Sequence, residues 1–404
     1  MPKKRGNNEG TVSKRKDGKW CAAITIGTKD DGKPDRKFYY GKTRQEVAEK
    51  LNQAIHDVKK GTFVPTNKIK VSEWLQTWLF EYKKPSVRPS TFANYEMFVR
   101  VHLAPAIGGL LLKDLAPQHL QRLYNEKLVS GKVDGSGGLS AASVRYMYVV
   151  IHEALDQALR NNLVTRNVSN APKLPQLKKT KVEVFTVESQ MKFLAILAGE
   201  RLRAAFVLAL GTGVREGELL ALRWQDVDLK DGTIRIEQSV RRCKTFDKDS
   251  PTKTILLFGP VKTAAGNRSI PLPAGVLTEL KAHKKRQLTE QLAAGELWEK
   301  SGLVFTTELG KVVEPRNLIR RYYQLLKNAG LEHLKFHAAG RHTFATRLLE
   351  ANEHPKTVQE MLGHSSIVVT LDLYSHVLPE IKQAAAAKLD FLFQEKKPSA
   401  KEGL

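Results

Sequence analysis

The sequence predicts a multidomain α+β protein: a small three-stranded β-sheet plus helix at the N-terminus, then an all-α domain, then a mixed α+β domain. Three observations carry this reading. Short β-branched and aromatic runs separated by tight turns fill the first 66 residues. From Val71 the apolar residues recur at helical spacing. Beyond residue 184, helical and strand-like stretches alternate. A chain of 404 residues, 41% of them hydrophobic, has room for two or three domains with cores of their own.

In the first block, GTVSKRKDGK predicts a strand closed by an Asp17-Gly18 turn, a strong hairpin signal. KWCAAITIGT and RKFYYGK predict two more strands, joined by the polar turn Lys29–Pro34. TRQEVAEKLNQAIHDVKKG predicts a helix capped by Thr43. In the second block, Val71, Trp74, Leu75, Trp78, Leu79 and Tyr82 form one apolar helical stripe. Further helices are expected from Ser90-Thr91 to Val101, from Pro117 to Val129 and from Ser140 to Asn162, the last two separated by GKVDGSGGLS. Trp74, Trp78, Tyr146 and Tyr148 resemble base-stacking platforms, but their helical spacing assigns them to a core. Residues 168–183 hold two prolines and four lysines and read as a basic linker. In the third block, helices are expected at 186–198, 200–210, 215–222, 274–290, 316–329, 341–351 and 355–362. Strands are expected there at 226–238, 254–258 and 268–271.

Charge narrows the class of partner. Lysine and arginine outnumber aspartate and glutamate by 66 − 42, a net +24. Residues 1–66 contribute 16 − 8 of it, a third of the charge in a sixth of the length. Such an excess is the footprint of a polyanion, nucleic acid first among them. Lys3, Lys4, Arg5, Lys14, Arg15 and Lys16, with Lys178, Lys179 and Lys181 of the linker, are the candidate phosphate contacts. No run approaches the ~20 apolar residues of a membrane span, and MPKKRGNNEG lacks the apolar core of a signal peptide. Cys21 and Cys243 stand far apart without metal-site spacing. A reducing, cytoplasmic setting is expected, nucleoid-associated when bound to DNA.

The chemistry concentrates in the last half. Arg215 follows a glycine turn in LGTGVREGELLALRW, where helix-terminal N–H groups and a guanidinium would both face an anion. Glu216 and Glu218 are near enough to orient basic neighbours. Lys262 stands in PVKTAAGNRSIPL between two strand-like runs, placed to protonate a leaving oxygen. Arg341 opens a helix in FHAAGRHTFAT, and LGHSSIVVTLDLYSHV carries His364 and, ten residues on, Tyr374. A phenol supplies a nucleophile, and fixed cations stabilise charge on a phosphodiester in the transition state without a metal.

The ordered set Arg215, Lys262, Arg341, His364 and Tyr374, with GTGVREGELLALRW, GRHTFAT and LGHSSI…TLDLYSHV, resembles the tyrosine recombinases, or phage-type integrases, over about 185–380. The N-terminal blocks look like the arm-binding and core-binding domains of prophage and conjugative-transposon integrases. The resemblance implies an arm-type DNA-binding domain at 1–66, a core-binding domain at 70–167, the linker 168–183, a catalytic domain at 184–382 and a tail at 383–404. It implies that Arg215 and Arg341 hold the scissile phosphate, Lys262 is the general acid, His364 assists and Tyr374 attacks, with His376 nearby. It implies no cofactor and no metal, double-stranded DNA attachment sites, a homotetramer on synapsed DNA, an excisionase or DNA-bending accessory protein and no membrane. A type IB topoisomerase and a catalytically decayed DNA-binding regulator stay open; a metal-dependent transposase would need converging carboxylates, and Asp226 and Asp228 read more simply as strand-edge or turn residues.

One departure stands out. The family has His-x-x-Arg, whereas His337 and Arg341 are four apart with Gly340 between them. In an α-helix the added residue turns the side chain by ~100°. His337 is therefore displaced unless Gly340, through unusual dihedrals, absorbs the extra residue in a bulge.

Overall fold

The computed structural model describes residues 10–28, 32–59, 68–178, 182–247, 249–374, 386–389 and 392–393. The chain divides into two compact units, Met1–Lys178 and Lys179–Leu404.

The first unit opens with β1 (Thr11–Lys14), β2 (Trp20–Thr28) and β3 (Pro34–Gly41), an antiparallel sheet in that order, followed by α1 (Arg44–Lys59). Gly18 takes φ +82 in the β1–β2 turn, a conformation glycine adopts without strain. The Thr43 hydroxyl accepts the Glu46 N–H and caps α1. Alternation does the rest. Ala22 and Ile24 point inward onto Val47, Leu51 and Ala54 of α1, while Arg36, Phe38 and Tyr40 line the opposite face of β3. Arg15 lies over the Tyr40 ring at 5.2 Å. Lys14, Arg15 and Lys16 are exposed; Lys3, Lys4 and Arg5 lie outside the described residues.

The all-α part comprises α2 (Val71–Thr77), α3 (Pro89–Phe98), α4 (Ala104–Ile107), α5 (Pro117–Ser130) and α6 (Ala141–Arg160). Two of the expected helices are interrupted by π turns, Trp78–Lys83 and Val99–Leu103. Trp74 and Trp78 are buried, and Trp74 Nε1 donates to the Ala154 carbonyl at 2.9 Å. Tyr146 packs against Tyr95 and Phe98, and Tyr148 against His152. All four belong to packing, as their spacing indicated. Residues 168–175, expected as the start of a free linker, are tied to these helices instead. The Asn167 amide bonds Asp156, Ser169 bonds His152, and Lys173 and Pro175 bond Gln121 and Arg145.

The second unit begins with α7 (Val187–Ile196), α8 (Arg203–Thr212) and α9 (Glu216–Ala221). The expected strand 226–238 is broken. β4 (Val227–Asp228) and β5 (Thr233–Ile236) flank a turn with Gly232 at φ +65. β6 (Gln238–Lys244) pairs with β7 (Thr254–Pro260) in a separate two-stranded sheet. β8 (Arg268–Pro271) pairs with β5, so β7 and β8 bracket Lys262 from different sheets. There follow α10 (Ala274–Ala294), α11 (Pro315–Asn328), a π turn at Ala338–His342, α12 (Thr343–Glu350), α13 (Pro355–Leu362) and α14 (Ile367–Tyr374). Phe193, Phe206, Tyr322 and Phe336 knit α7, α8 and α11 to the segment before the π turn. Among the described residues no helix is long and apolar enough to cross a membrane.

Candidate active site

The ends of four helices converge where α8, α9, α13 and the π turn meet. α8 stops at Gly213, which takes φ +62 and whose hypothetical Cβ would sit 2.7 Å from the Phe344 ring. α13 stops at Gly363, at φ +65, where a Cβ would come 2.6 Å from the Ala265 carbonyl. Both are left-handed C-terminal caps that only glycine fits. They aim helix-terminal carbonyls at one point, and Arg341 fills that point.

Arg341 is 2% exposed. Its Nη1 donates to the Gly213 carbonyl at 3.0 Å, its Nη2 to the Leu362 carbonyl at 2.6 Å, and its Nε to His364 Nε2 at 3.3 Å. Helix C-termini favour cations, so neutral dipoles hold the guanidinium, and among the described residues no carboxylate pairs with it directly, Glu218 acting on it only by its charge. Burial, then the Arg215 and Arg268 charges, lower its pKa to about 9, which leaves it cationic at neutral pH. Because Nε2 of His364 accepts, Nδ1 carries the proton and donates to Thr370 Oγ1 at 2.9 Å. His364 sits before α14 rather than in it. Burial and the charges of Arg341 and Arg215 hold its pKa down at about 3, so the ring is neutral.

Arg215 precedes α9, and its Nη2 reaches the Gly363 carbonyl at 3.4 Å. α9 has six residues, and the Arg215 N–H is taken by Glu218 at 3.1 Å. Glu218, 3% exposed, also receives Arg215 Nη1 at 2.7 Å and Arg268 Nη2 at 2.9 Å. Arg268 was missed in the sequence, though it lies inside PVKTAAGNRSIPL. It is buried on β8 and holds the Met361 and Gly266 carbonyls at 2.7 and 2.9 Å. Glu216 is half-buried, with its pKa raised by burial, and makes no ion pair among the described residues. Three guanidiniums against one carboxylate leave 3 − 1 = +2 at the cluster.

The π turn resolves the His337–Arg341 spacing. Thr343 N–H bonds the Ala338 carbonyl five residues back, so the turn is wider than an α turn and takes the extra residue into its circumference. Gly340 contributes differently from expectation. It is absent from the positive-φ residues, and its value is space, since a Cβ there would lie 3.3 Å from the Ala209 carbonyl of α8. His337 is open to solvent on one side and meets the His342 ring edge-on at 4.9 Å. Burial of the remainder, then the charges of His342, Arg341 and Arg215, lower its pKa to about 4.

Lys262 is exposed, in the turn after β7. The Ala265 carbonyl of that same turn abuts Gly363, which brings the Lys262 loop beside the His364 turn. Tyr374 ends α14; His376 lies outside the described residues, as do Lys179 and Lys181, whereas Lys178 is exposed. Asp226 is buried against Arg223, and Asp228 accepts the Lys230 and Asp231 N–H groups. Both hold local structure at a strand edge and a turn, in line with that reading.

Around Arg341, then, stands a cluster of net positive charge, and a tyrosine ends the helix that follows His364. Residues 182–380 match the Phage integrase family, and residues 70–128 match its N-terminal SAM-like domain. The chain is 35% identical to a tyrosine recombinase XerC-like protein of Caldanaerobacter subterraneus subsp. tengcongensis, across 92% of this chain and 95% of that one. Its fold is similar to that of a Tn1549 transposon integrase in complex with a circular intermediate DNA. There the TM-score is 0.64 and the identity 19%, over 80% of this chain and 99% of the other. It is also similar to lambda integrase as a tetramer bound to a Holliday junction, at TM-score 0.53 and 19% identity over 88% and 95% of the chains. The chain belongs to the phage integrase family of tyrosine recombinases.

Proposed function

We propose that this enzyme is a site-specific DNA recombinase that integrates and excises a mobile element through a 3′-phosphotyrosine formed on Tyr374. The observation that carries the reading is the uncancelled charge around Arg341. A buried guanidinium held by helix-terminal carbonyls, with Arg215 beside it, is preorganised for the two non-bridging oxygens of a phosphodiester. Tyr374 Oη bonds to phosphorus as the bond to O5′ breaks, and Lys262 gives the leaving 5′ oxygen its proton. His337, held neutral, is suited to accept the phenolic proton. Once the anion draws off the charge of Arg341, His364 takes up a proton on Nε2 and donates it in a hydrogen bond to the phosphate. The 5′-hydroxyl of a partner duplex then attacks the phosphotyrosine and exchanges strands. The bond energy stays in the protein–DNA linkage.

Exchange between two duplexes engages four strands, so four protomers in a closed head-to-tail ring are the expected assembly. Residues 1–66 act as the arm-type DNA-binding domain, the basic aromatic face of β3 suiting a duplex. Residues 70–167 grip the core site, 168–183 link, 184–382 catalyse and 383–404 form a tail. A second DNA contact raises occupancy of the core site through effective concentration.

The test is a nicked suicide duplex incubated in EDTA, with adducts resolved on denaturing gels. An adduct formed by the parent and lost in Tyr374→Phe, with duplex affinity kept, supports the reading. Binding without an adduct in the parent would overturn it in favour of a regulator. Adduct formation that relaxes supercoils but never joins two duplexes would favour a topoisomerase.

A further inference from the structure

Thr343 has no exposed surface and takes no part in the chemistry described so far. It stands at the junction of the π turn and α12. Its hydroxyl accepts the Phe185 backbone N–H at 3.0 Å and donates to the Ala338 carbonyl at 3.1 Å. That carbonyl already receives the Thr343 backbone N–H, the bond that makes the turn wide. Two donors of one residue thus converge on one acceptor five residues back. In an α turn the Ala338 carbonyl would pair with the His342 N–H instead. The hydroxyl therefore favours the wide turn over the narrow one.

Its other bond reaches a fixed point. Phe185 is 4% exposed and stacks on Phe193 at 5.7 Å. One turn along α12 from Thr343, Arg347 Nη2 donates to the Phe185 carbonyl at 2.5 Å. Residues of α12 thus grip both polar groups of the Phe185 residue, and Val182 packs against the cluster of Phe344, Ala345, Leu349, Val358 and Leu362. The segment 182–186 works as a strap across the start of α12.

We propose that Thr343 is a positioning residue whose hydroxyl ties the Phe185 strap to the π turn and so sets the His337–Arg341 spacing that strand cleavage uses. The activity arm of the test rests on the recombinase reading; the stability arm does not. Thr343→Val keeps the shape and deletes the hydroxyl, whereas Thr343→Ser keeps the hydroxyl. Both are made in the parent and in a chain lacking Ala339, where three-residue spacing lets an α turn serve. Unfolding midpoints and single-turnover adduct formation on the nicked duplex are measured for each.

Thr343→Val should slow adduct formation by about ten- to a hundred-fold at unchanged duplex affinity, the scale of a small misplacement. Thr343→Ser should stay close to the parent rate. In the chain lacking Ala339, the Val–Ser gap should narrow in both rate and midpoint. Equal losses with Val and Ser, or a gap of the same size in both backgrounds, would overturn the proposal. If the parent forms no adduct, the recombinase reading fails and the midpoints alone decide the role of Thr343. If the chain lacking Ala339 does not fold, the Val–Ser comparison in the parent decides.

Discussion

Glu218→Gln preserves the shape of the side chain and removes the one carboxylate of the cation cluster. The residue is 3% exposed, and so is its main partner nearly, since the Arg268 side chain retains 5% of its surface. Taking one member from a buried pair strands the other charge in a poor solvent, which costs about 3–5 kcal/mol. The Arg215 side chain is 40% exposed, so water screens that half of the bridge. The lower end therefore applies, about 3 kcal/mol. For a unit of this size that corresponds to an unfolding midpoint lowered by about 6–12 °C. The pH dependence has a definite sign. Burial raises the Glu218 pKa, but the charge and hydrogen bond of Arg268, with those of Arg215, outweigh it and leave the carboxyl below its ordinary 4.5. A folded value below the unfolded one means stabilisation that is complete above 4.5 and lost as pH falls through the folded value. Calorimetric midpoints of parent and variant should accordingly differ most near neutral pH and converge in acid. A variant within about 1 °C of the parent at neutral pH, or a difference that persists undiminished in acid, would refute the reasoning.

The imidazoles provide a second prediction. His364 and His337, with pKa values lowered to about 3 and about 4, are neutral in the free protein near pH 6. A bound phosphate offsets the Arg341 and Arg215 charges that hold His364 down, so duplex binding near that pH should take up a proton there while His337 stays neutral. Calorimetry in two buffers of different ionisation enthalpy measures this, and zero uptake would contradict it. By the same linkage, the DNA-free protein should lose stability as pH falls below 6.5, because unfolded imidazoles bind protons that these two refuse. Gly213→Ala forces a non-glycine residue to φ +62 with its Cβ 2.7 Å from Phe344. It should cost about 1–3 kcal/mol of stability and slow adduct formation by moving the carbonyl that holds Arg341. An unchanged midpoint in chemical denaturation would argue against that.

How far the sequence could be read differs from element to element. The helices of the first unit were legible because their cores repeat at helical spacing, and Trp74 and Trp78 occupy that stripe. β6 was not legible, because Arg241, Arg242 and Lys244 face water and leave too few apolar residues to mark a strand. Of the three π turns among the described residues, two were equally invisible, and only the His337–Arg341 spacing hinted at the third. A π turn differs from an α turn by one slipped hydrogen bond, and the same residues serve either. Of the cluster around Arg341, the residues Arg215, Arg341 and His364 were legible as residue types in recognisable phrases, and Glu218 as a nearby carboxylate. Arg268 was not singled out, because an arginine on a short strand carries no local sign of burial.

By itself, then, the sequence determined the family and most of the order of the elements, and it offered the candidate reacting groups, since these depend on residue type and local periodicity. Tertiary structure alone decided three matters. It placed two helix C-termini around Arg341, so that carbonyl dipoles rather than a carboxylate support its charge. It set Glu218 between Arg215 and Arg268, which lie 53 positions apart in the chain. It tied the widened turn before α12 to remote segments, the Thr343 hydroxyl accepting the Phe185 N–H and Gly340 lying close on Ala209. Each of these is a contact between segments distant in sequence, and local composition holds no record of which distant partner will arrive.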